Sequence, residues 1–219
     1  MLTVKELDFV KQCWLQLSTN LQIEQVVSQK LFHKIKSAYE STARHYHNFS
    51  HIYNLLQLSN TLFLVANDRE KAVFNLAIFY HDIVYNANQK DNEAESAKIA
   101  NQDFDFYLSN SEKHNLNAYI LSTEKHVPID NNIVGIALFL DIDLSVLAAP
   151  LSIYKKYAES VAAEYLIYYN QLMYNAGRLD FLKRTSEKAT FYCTEQFATG
   201  ENRAKENINW EINQLSNNI

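Results

Sequence analysis

Two adjacent residues, His81 and Asp82, stand near the end of an apolar stretch with a helical pattern, Ala72–Tyr85. Burying an imidazole and a carboxylate there costs several kcal/mol unless the two groups are paired or bound to a metal. Upstream lies His51 and downstream lies Asp143, each on a predicted helix of its own. Two imidazoles and two carboxylates suit a six-coordinate cation such as Mn²⁺, Fe²⁺, Co²⁺, Ni²⁺ or Zn²⁺. The sequence therefore predicts one divalent metal ion at these four residues.

The spacing of apolar residues indicates which of these side chains face the interior. Asp143 belongs to a stripe of residues spaced at four, three and four positions, Ile136, Leu140, Asp143 and Leu147. Such a stripe is the face of a helix that packs on the core. His81 follows apolar residues by seven, four and three positions, Phe74, Ala77 and Ile78. Asp141 lies about 160° around the helix from Asp143, so we expect a partly exposed charge or a partner of the ligands.

Other histidines offer further candidates. His47 and His51 are four residues apart, the spacing of two histidines that grip a metal from one helix. We favour His51 because it lies within the clear helical period. His47 is predicted at the helix entrance, where contact with the metal, contact with substrate and capping all remain open, as does the role of His45. His126 faces inward by its spacing and is a candidate partner of a ligand, substrate-binding residue or ligand to a second metal. His33 and His114 are expected at the surface.

Composition narrows the fold and function. Apolar residues make up 47% of 219 residues, with only 3 Gly and 2 Pro. Scarce turn residues argue against a sandwich or barrel and for an all-α protein. Without a glycine-rich loop, Walker-type and dinucleotide motifs are excluded. A net charge of −5, with no basic stripe, disfavours nucleic-acid binding.

Compartment is indicated by the cysteines and by the character of the apolar segments. Cys13 and Cys193 form no CxxC pair and are predicted to be buried thiols in a reducing, cytoplasmic compartment. The first residues lack the features of a signal peptide. The apolar segment 133–151 carries Asp141 and Asp143 at its centre, so we interpret it as a core helix and expect no membrane partner.

The apolar periodicity predicts one helical domain over residues 1–219. The segment that carries the candidate ligands spans about 39–150, and the helices of 151–219 are expected to pack on it. The predicted helices are Val4–Leu17, Ile23–Tyr39, Phe49–Ala66, one that Asp68 caps and that runs to about Tyr85, Glu93–Leu108, one capped by Ser111 that ends before Pro128, Asn131–Leu147, Ile153–Tyr174, Leu179–Phe191 and Asn202–Leu215. The tyrosines of the long Ile153–Tyr174 helix are expected to line the core and a groove.

At these residues the chain resembles the HD superfamily of metal-dependent phosphohydrolases. The ordered signature H…HD…D of that superfamily corresponds here to His51, His81, Asp82 and Asp143. More narrowly, the chain resembles the bacterial predicted HD phosphohydrolases. The shared stretches are Arg44–His51, Phe79–Tyr85, Asp91–Ala97, Thr123–His126 and Glu201–Asn207. The resemblance runs from about Tyr39 to the C-terminus and implies an HD-domain-like helical bundle.

The resemblance also implies hydrolysis of a phosphoester, with nucleotides the commonest substrates of the superfamily and Mg²⁺ a further possible metal. Asp82 would hold the metal, which generates a nucleophile from water. Arg44, immediately before the histidine run, is the best-placed cation for the charge that develops on the phosphoryl group. Lys125, Arg178 and Arg184 are further candidates, although each also fits a solvated surface charge. Glu93 would activate water, or serve only as a carboxylate in the first turn of a helix.

Three functions compete at this stage. The first is a phosphohydrolase acting on a small phosphorylated metabolite, with nucleotides favoured. The second is a non-catalytic HD module that binds a metal and a nucleotide as a regulator. The third, a di-iron oxygenase of the same fold, needs a denser ligand set, and only His47 and His126 are spare. The sequence leaves the oligomeric state open, with a homodimer among the possibilities.

Overall fold

Helices are the only regular elements in residues 2–64 and 67–217, which are the residues that the computed structural model describes. The all-α prediction is confirmed. In chain order the helices are α1 Val4–Asn20, α2 Gln25–Tyr39, α3 Phe49–Leu62, α4 Asp68–Tyr80, α5 Asn92–Phe104, α6 Asn110–Ser122, α7 Ile136–Asp143, a 3₁₀ helix Leu144–Ala148, α8 Leu151–Tyr165, α9 Gln171–Ser186, α10 Glu195–Ala198 and α11 Glu201–Ser216.

Helix α4 lies at the centre of the N-terminal helices. Each residue from Ala72 to Tyr80 is buried, and α4 packs against α1, α3 and α6. A helix that is covered on all sides needs apolar residues all round, as this one has. Its cap is Asn67, whose side chain accepts hydrogen bonds from the backbone N–H groups of Arg69 and Glu70, so the prediction of Asp68 as the cap is wrong by one residue.

The end of α4 differs from the sequence prediction, which extended the helix to Tyr85. The helix stops at Tyr80 because side chains take its last carbonyl groups. The hydroxyl of Tyr39 donates to the carbonyl oxygen of Phe79, and the Nδ1 of His81 bonds that of Ile78. Those oxygens would otherwise accept the N–H groups that continue a helix. Asp82 therefore lies just beyond the helix instead of on it.

The start of α6 was predicted incorrectly because of capping. Helix α6 begins after Ser109, which forms a reciprocal capping box with Glu112, and not at Ser111. Helix α3 ends at Leu62, and the predicted end at Ala66 lies outside the described residues.

The predicted long helix Ile153–Tyr174 is two helices, α8 and α9. The side chain of Asn170 accepts a hydrogen bond from the backbone of Met173 and caps α9. Asparagine is among the strongest capping residues, and it interrupts the apolar pattern here. The predicted helix Leu179–Phe191 belongs to α9 only as far as Ser186. Of the tyrosines in this region, Tyr154 and Tyr174 are buried, as expected, whereas Tyr168 is exposed.

Helix α7, which carries Asp143, begins at a constrained position. Gly135 precedes it with φ of 77°, a left-handed conformation that favours glycine. A Cβ at this position would lie against the ring of Phe63. The glycine therefore permits the close approach that sets where α7 starts.

Two apolar clusters make up the interior of the described residues. The larger one draws on α1 to α7, and α3 and α6 both pack on α7. The smaller one joins the 3₁₀ helix to the C-terminal helices, with α11 against α9. Phe197 contacts both clusters. The C-terminal helices thus pack beside the segment that carries the candidate ligands.

Asp141 is fully buried, so the expectation of a partly exposed charge is wrong. Its carboxylate accepts hydrogen bonds from the backbone N–H groups of Cys193 and Thr194, at 2.8 and 2.7 Å, and from the hydroxyl of Thr194 at 2.6 Å. Asp141 therefore fastens the segment before α10 to α7.

Cys13 is buried, as predicted, but Cys193 is exposed, which corrects the prediction of a buried thiol; both are free.

No individual helix among the described residues has the length and apolar character needed to cross a membrane. The one pair that passes this test together, Ile136–Ala148 with Leu151–Tyr165, is bent by 104°.

We predict that Asp141→Ala lowers the free energy of unfolding by about 2–4 kcal/mol, because three donors lose their acceptor in a buried place. Urea unfolding measures the change. Asp180→Ala is the control, since Asp180 is exposed and pairs only with Arg184 on the same helix, so its loss should cost at most about 0.5 kcal/mol. Equal shifts in the two variants would contradict the role of Asp141.

Candidate metal centre

Three helices bring the predicted ligands together. His51 lies in the first turn of α3, after the cap formed by Asn48, and His81 closes the C-terminal end of α4. Asp143 is the last residue of α7. Both imidazoles are buried, and the carboxylates of Asp82 and Asp143 are each 13% exposed. The predicted inward orientation of His81 and Asp143 is confirmed.

Donor atoms of His51, His81 and Asp143 form one mutually close group, and Asp82 adjoins that group through His81. The Nε2 atoms of His51 and His81 are 3.2 Å apart. An oxygen of Asp143 lies 3.2 Å from the Nε2 of His51 and 3.7 Å from that of His81. Asp82 places an oxygen 3.1 Å from the Nε2 of His81 and 4.0 Å from that of His51. One donor atom from each of His51, His81 and Asp143 lies within 4.8 Å of the other two.

This spacing suits a small cation. Bonds of about 2.1 Å place neighbouring ligands about 3 Å apart around an octahedral ion and about 3.4 Å apart around a tetrahedral one. Two imidazole nitrogens that face one another at 3.2 Å need a proton or a cation between them, because two lone pairs repel. The donor set therefore fits a divalent metal that prefers nitrogen and oxygen ligands.

Hydrogen bonds to the backbone orient the imidazole of His81. Its Nδ1 donates to the carbonyl oxygen of Ile78 at 2.9 Å, so Nδ1 carries the proton and the neutral ring offers a lone pair at Nε2. Metal-binding histidines are usually oriented in this way by a bond from the second nitrogen.

The charges of the cluster favour a cation. Burial opposes ionisation of Asp82 and Asp143, but the surrounding imidazoles outweigh it and hold the pKa of each carboxyl well below its usual range. Burial alone would lower the pKa of His81, yet the charges of Asp82 and Asp143 raise it to about 9. Two ionised carboxylates in a buried space thus attract positive charge.

His126 contacts the second oxygen of Asp143. Its Nε2 lies 3.1 Å from that oxygen, and its side chain also lines the adjoining cavity. His126 has φ of 49°, which is uncommon for a residue other than glycine. Among the roles predicted for His126, this geometry supports a residue that holds Asp143 and faces the cavity.

Arg44 lies behind the cluster rather than in the cavity. Its guanidinium donates to the carbonyl oxygens of Asp82 and Ile83, at 2.6 and 2.9 Å, and packs over the rings of Tyr39 and Tyr85. The role expected for Arg44 was to stabilise charge on a phosphoryl group. The geometry instead makes it a positioning residue for the backbone that follows α4.

His47 is held by a carboxylate that the sequence analysis missed. Glu164, only 1% exposed, accepts the backbone N–H groups of Tyr46 and His47 at one oxygen and lies 2.7 Å from the Nδ1 of His47 at the other. His47 also stacks on Tyr85 and lines the cavity. A signal was present, because Glu164 follows Tyr157 and Val161 at helical spacing on the inward face of α8.

A cavity of about 500 Å³ adjoins the cluster. Asp82 and Asp143 form part of its wall, and Glu93 in the first turn of α5 forms another part. Burial raises the pKa of Glu93, and the charge of Asp82 adds to the effect. Four cationic side chains also line the cavity, Lys125, Arg178, Arg184 and Lys188, of which sequence analysis missed only Lys188.

The remaining histidines lie away from the cluster. His33, His45 and His114 are exposed, as predicted for His33 and His114. His114 pairs with Asp130 at the surface.

Comparison with models of known protein families and with curated proteins found no match to this chain. The arrangement of its own residues therefore carries the functional argument.

We predict that Glu164→Gln reverses the tautomer of His47. The amide oxygen must keep both backbone N–H groups, so the amide NH₂ faces Nδ1, and the neutral ring then carries its proton on Nε2. The pKa of His47 should also fall. Burial lowers that pKa, but the charges of Asp82 and Glu164 and the hydrogen bond to Glu164 raise it above its usual value. Nitrogen NMR of metal-free protein reports both properties.

His114 serves as the internal control in the same spectra, because its exposed ring lies outside the cavity and its signals should be the same in both proteins. A proton that stays on the Nδ1 of His47 in Glu164→Gln would show that Glu164 does not orient the ring.

Proposed function

We propose that this protein hydrolyses a phosphoester of a small metabolite, using one divalent cation held by His51, His81, Asp82 and Asp143. The observation that carries the proposal is the convergence of His51, His81 and Asp143 at the wall of a cavity, with an oxygen of Asp82 3.1 Å from the Nε2 of His81. Their order along the chain matches the HD signature, which supports membership of that superfamily. A phosphorylated small molecule is accordingly the proposed partner.

A bound cation would polarise a phosphoryl oxygen and lower the pKa of a bound water. The protein's own residues supply the rest of the site. Asp82 and Asp143 remain ionised and would hold the cation at the wall of the cavity. His126 keeps the carboxylate of Asp143 in place through its second oxygen. Arg44 fixes the backbone of Asp82, so the side chain presents the same oxygen to the cluster.

Glu93 is the proposed proton acceptor for the attacking water. It lines the same cavity as Asp82 and Asp143, and its raised pKa brings the carboxylate closer to the range of an effective general base. Its position in the first turn of α5 also exposes it to the helix dipole, which favours the ionised form. The helix dipole thus helps Glu93 to stay ionised although its side chain is partly buried.

The cavity limits the substrate to a small molecule. Its volume of about 500 Å³ lies within the range of about 300–1,000 Å³ that is typical of small-molecule sites. Lys125, Arg184 and Lys188 in its lining would offset the negative charge of a phosphate. A nucleotide is the substrate class that the family resemblance suggests. A cytoplasmic setting remains part of the proposal because both cysteines are free thiols.

We predict that purified protein binds about one divalent ion per chain when Mn²⁺, Fe²⁺, Co²⁺, Ni²⁺, Zn²⁺ or Mg²⁺ is offered. Asp143→Ala should lose the ion, because it removes an oxygen from the cluster. Elemental analysis after gel filtration measures the metal. Asp141→Ala is the matched control from the same helix and should keep the ion where it remains folded. Protein that stays metal-free with all of these ions would contradict the proposed centre.

We predict phosphoester hydrolysis with two distinct kinds of defect. Asp82→Asn should lose metal and lower kcat/KM by at least about a thousandfold. Glu93→Gln should keep metal and lower kcat by about 10²–10⁴-fold, the range of a general base. Release of phosphate from a panel of nucleoside and sugar phosphates measures the rates.

The same panel separates the enzyme from a regulatory module. A metal-loaded protein that binds nucleotides but turns over none of them would support the non-catalytic module. Equal rates for wild type and Asp82→Asn would place the activity at another site or in a contaminant.

A further inference from the structure

We propose that Arg178 forms a second subsite of the cavity, which binds an uncharged planar ring through a carbonyl oxygen on its edge. The substrate would then present a phosphoryl group to the metal ligands and such a ring to Arg178. This assignment rests on the proposed function for its phosphoryl end.

The hydrogen bonds of Arg178 leave one nitrogen available. Its Nε and Nη2 donate to the two oxygens of Glu211, at 2.8 and 3.1 Å, and Nη2 also lies 3.4 Å from the hydroxyl of Tyr157. Nη1 has no hydrogen-bond partner in the part of the chain that the structure describes. The side chain is only 9% exposed, and it lines the cavity. A charged donor in such a place gains most from an acceptor that a ligand supplies.

The pairing with Glu211 determines the charge of the ligand group. Glu211 is 5% exposed and meets the guanidinium through both oxygens. Its negative charge offsets that of Arg178, so the pair offers N–H donors without a net positive charge. A second phosphate or carboxylate would meet the field of Glu211 as well. An uncharged acceptor, such as a ring carbonyl, avoids that repulsion.

Aromatic rings determine the shape of the ligand group. The guanidinium lies 5.5 Å from the ring of Tyr157 and 5.4 Å from that of Phe181. Both rings also line the cavity. Flat aromatic faces beside the free Nη1 favour a planar ring, which stacks on them while its edge accepts the hydrogen bond.

Neighbouring aromatic side chains connect the two subsites. Tyr46 lies 5.0 Å from the ring of His51, and Tyr157 lies 4.7 Å from the ring of Tyr46. Arg178 packs on the ring of Tyr157. Contacts between neighbouring side chains therefore run from His51 through Tyr46 and Tyr157 to the guanidinium. The series remains within one cavity, which is lined by Tyr46, Tyr157 and Arg178.

The test compares substrates that share a phosphate and differ only in the ring. Inosine monophosphate carries a ring carbonyl, purine riboside monophosphate lacks it, and ribose phosphate has no ring. Wild-type protein should prefer inosine monophosphate to purine riboside monophosphate by about tenfold to a hundredfold in kcat/KM, the value of one charge-assisted hydrogen bond. It should turn over ribose phosphate least well.

The variant is Arg178→Met combined with Glu211→Gln. Removing Arg178 alone would leave the buried carboxylate of Glu211 unpaired and threaten folding. The Glu211→Gln change removes that charge and keeps an acceptor, because the amide oxygen can still accept from the hydroxyl of Tyr154, which bonds Glu211 at 2.6 Å. The double variant should lose the preference between the two ring substrates, because the donor that meets the ring carbonyl is gone. Lys183→Met, an exposed charge of α9 outside the cavity, should keep the preference.

Several outcomes would overturn the subsite. A folded double variant with the wild-type preference would show that Arg178 does not read the ring. A higher kcat/KM for a sugar bisphosphate than for inosine monophosphate would show that a second anion is the ligand. If no phosphoester is turned over, the proposed function fails, and saturation-transfer NMR with inosine alone still decides the subsite. Inosine binding that the double variant loses would support it, and absence of inosine binding by wild type would overturn it.

Discussion

The early end of α4 is the constraint on which the site depends. The carbonyl groups of Ile78 and Phe79 bond the ring of His81 and the hydroxyl of Tyr39 instead of the N–H groups of a further helical turn. The same bond from His81 sets its tautomer and directs Nε2 toward His51. Arg44 then holds the two residues beyond the helix end. Helix termination, ring orientation and the position of Asp82 are therefore one arrangement, because the same few hydrogen bonds serve all three.

Much of this arrangement was accessible from the sequence. The helical class followed from scarce glycine and proline, and the inward direction of His81 and Asp143 followed from their spacing among apolar residues. The incorrect predictions concerned the surroundings of individual residues. Asp141 was expected to be partly exposed because its position around the helix was judged only against Asp143. The segment that buries it, Cys193–Thr194, is 52 and 53 residues away and could not be inferred from helical phase.

Contacts distant in sequence explain the other errors. Arg44 was placed next to a phosphate because it precedes the histidine run, but its partners are the backbone oxygens of residues 38 and 39 positions later. Glu164 was overlooked although its spacing on α8 points inward, because nothing near it in sequence identifies its partner, His47. Asn170 and Ser109 are residue types that favour the N-terminal cap of a helix, so each could be predicted locally. The cap at Asn170 was missed because the apolar pattern continues past it.

The order of the chain separates the candidate metal ligands from the residues of the proposed second subsite. All four candidate ligands precede the 3₁₀ helix, whereas Glu164, Arg178 and Glu211 follow it. During synthesis the donor cluster is therefore complete as a set of residues before the wall that orients His47 and encloses the cavity has emerged. A nascent chain that bound a cation at that point would hold the ion before the residues that would select the substrate are present. The C-terminal helices emerge last and complete the wall of the cavity, so under the proposed function discrimination among small molecules would be the last property that this fold gains.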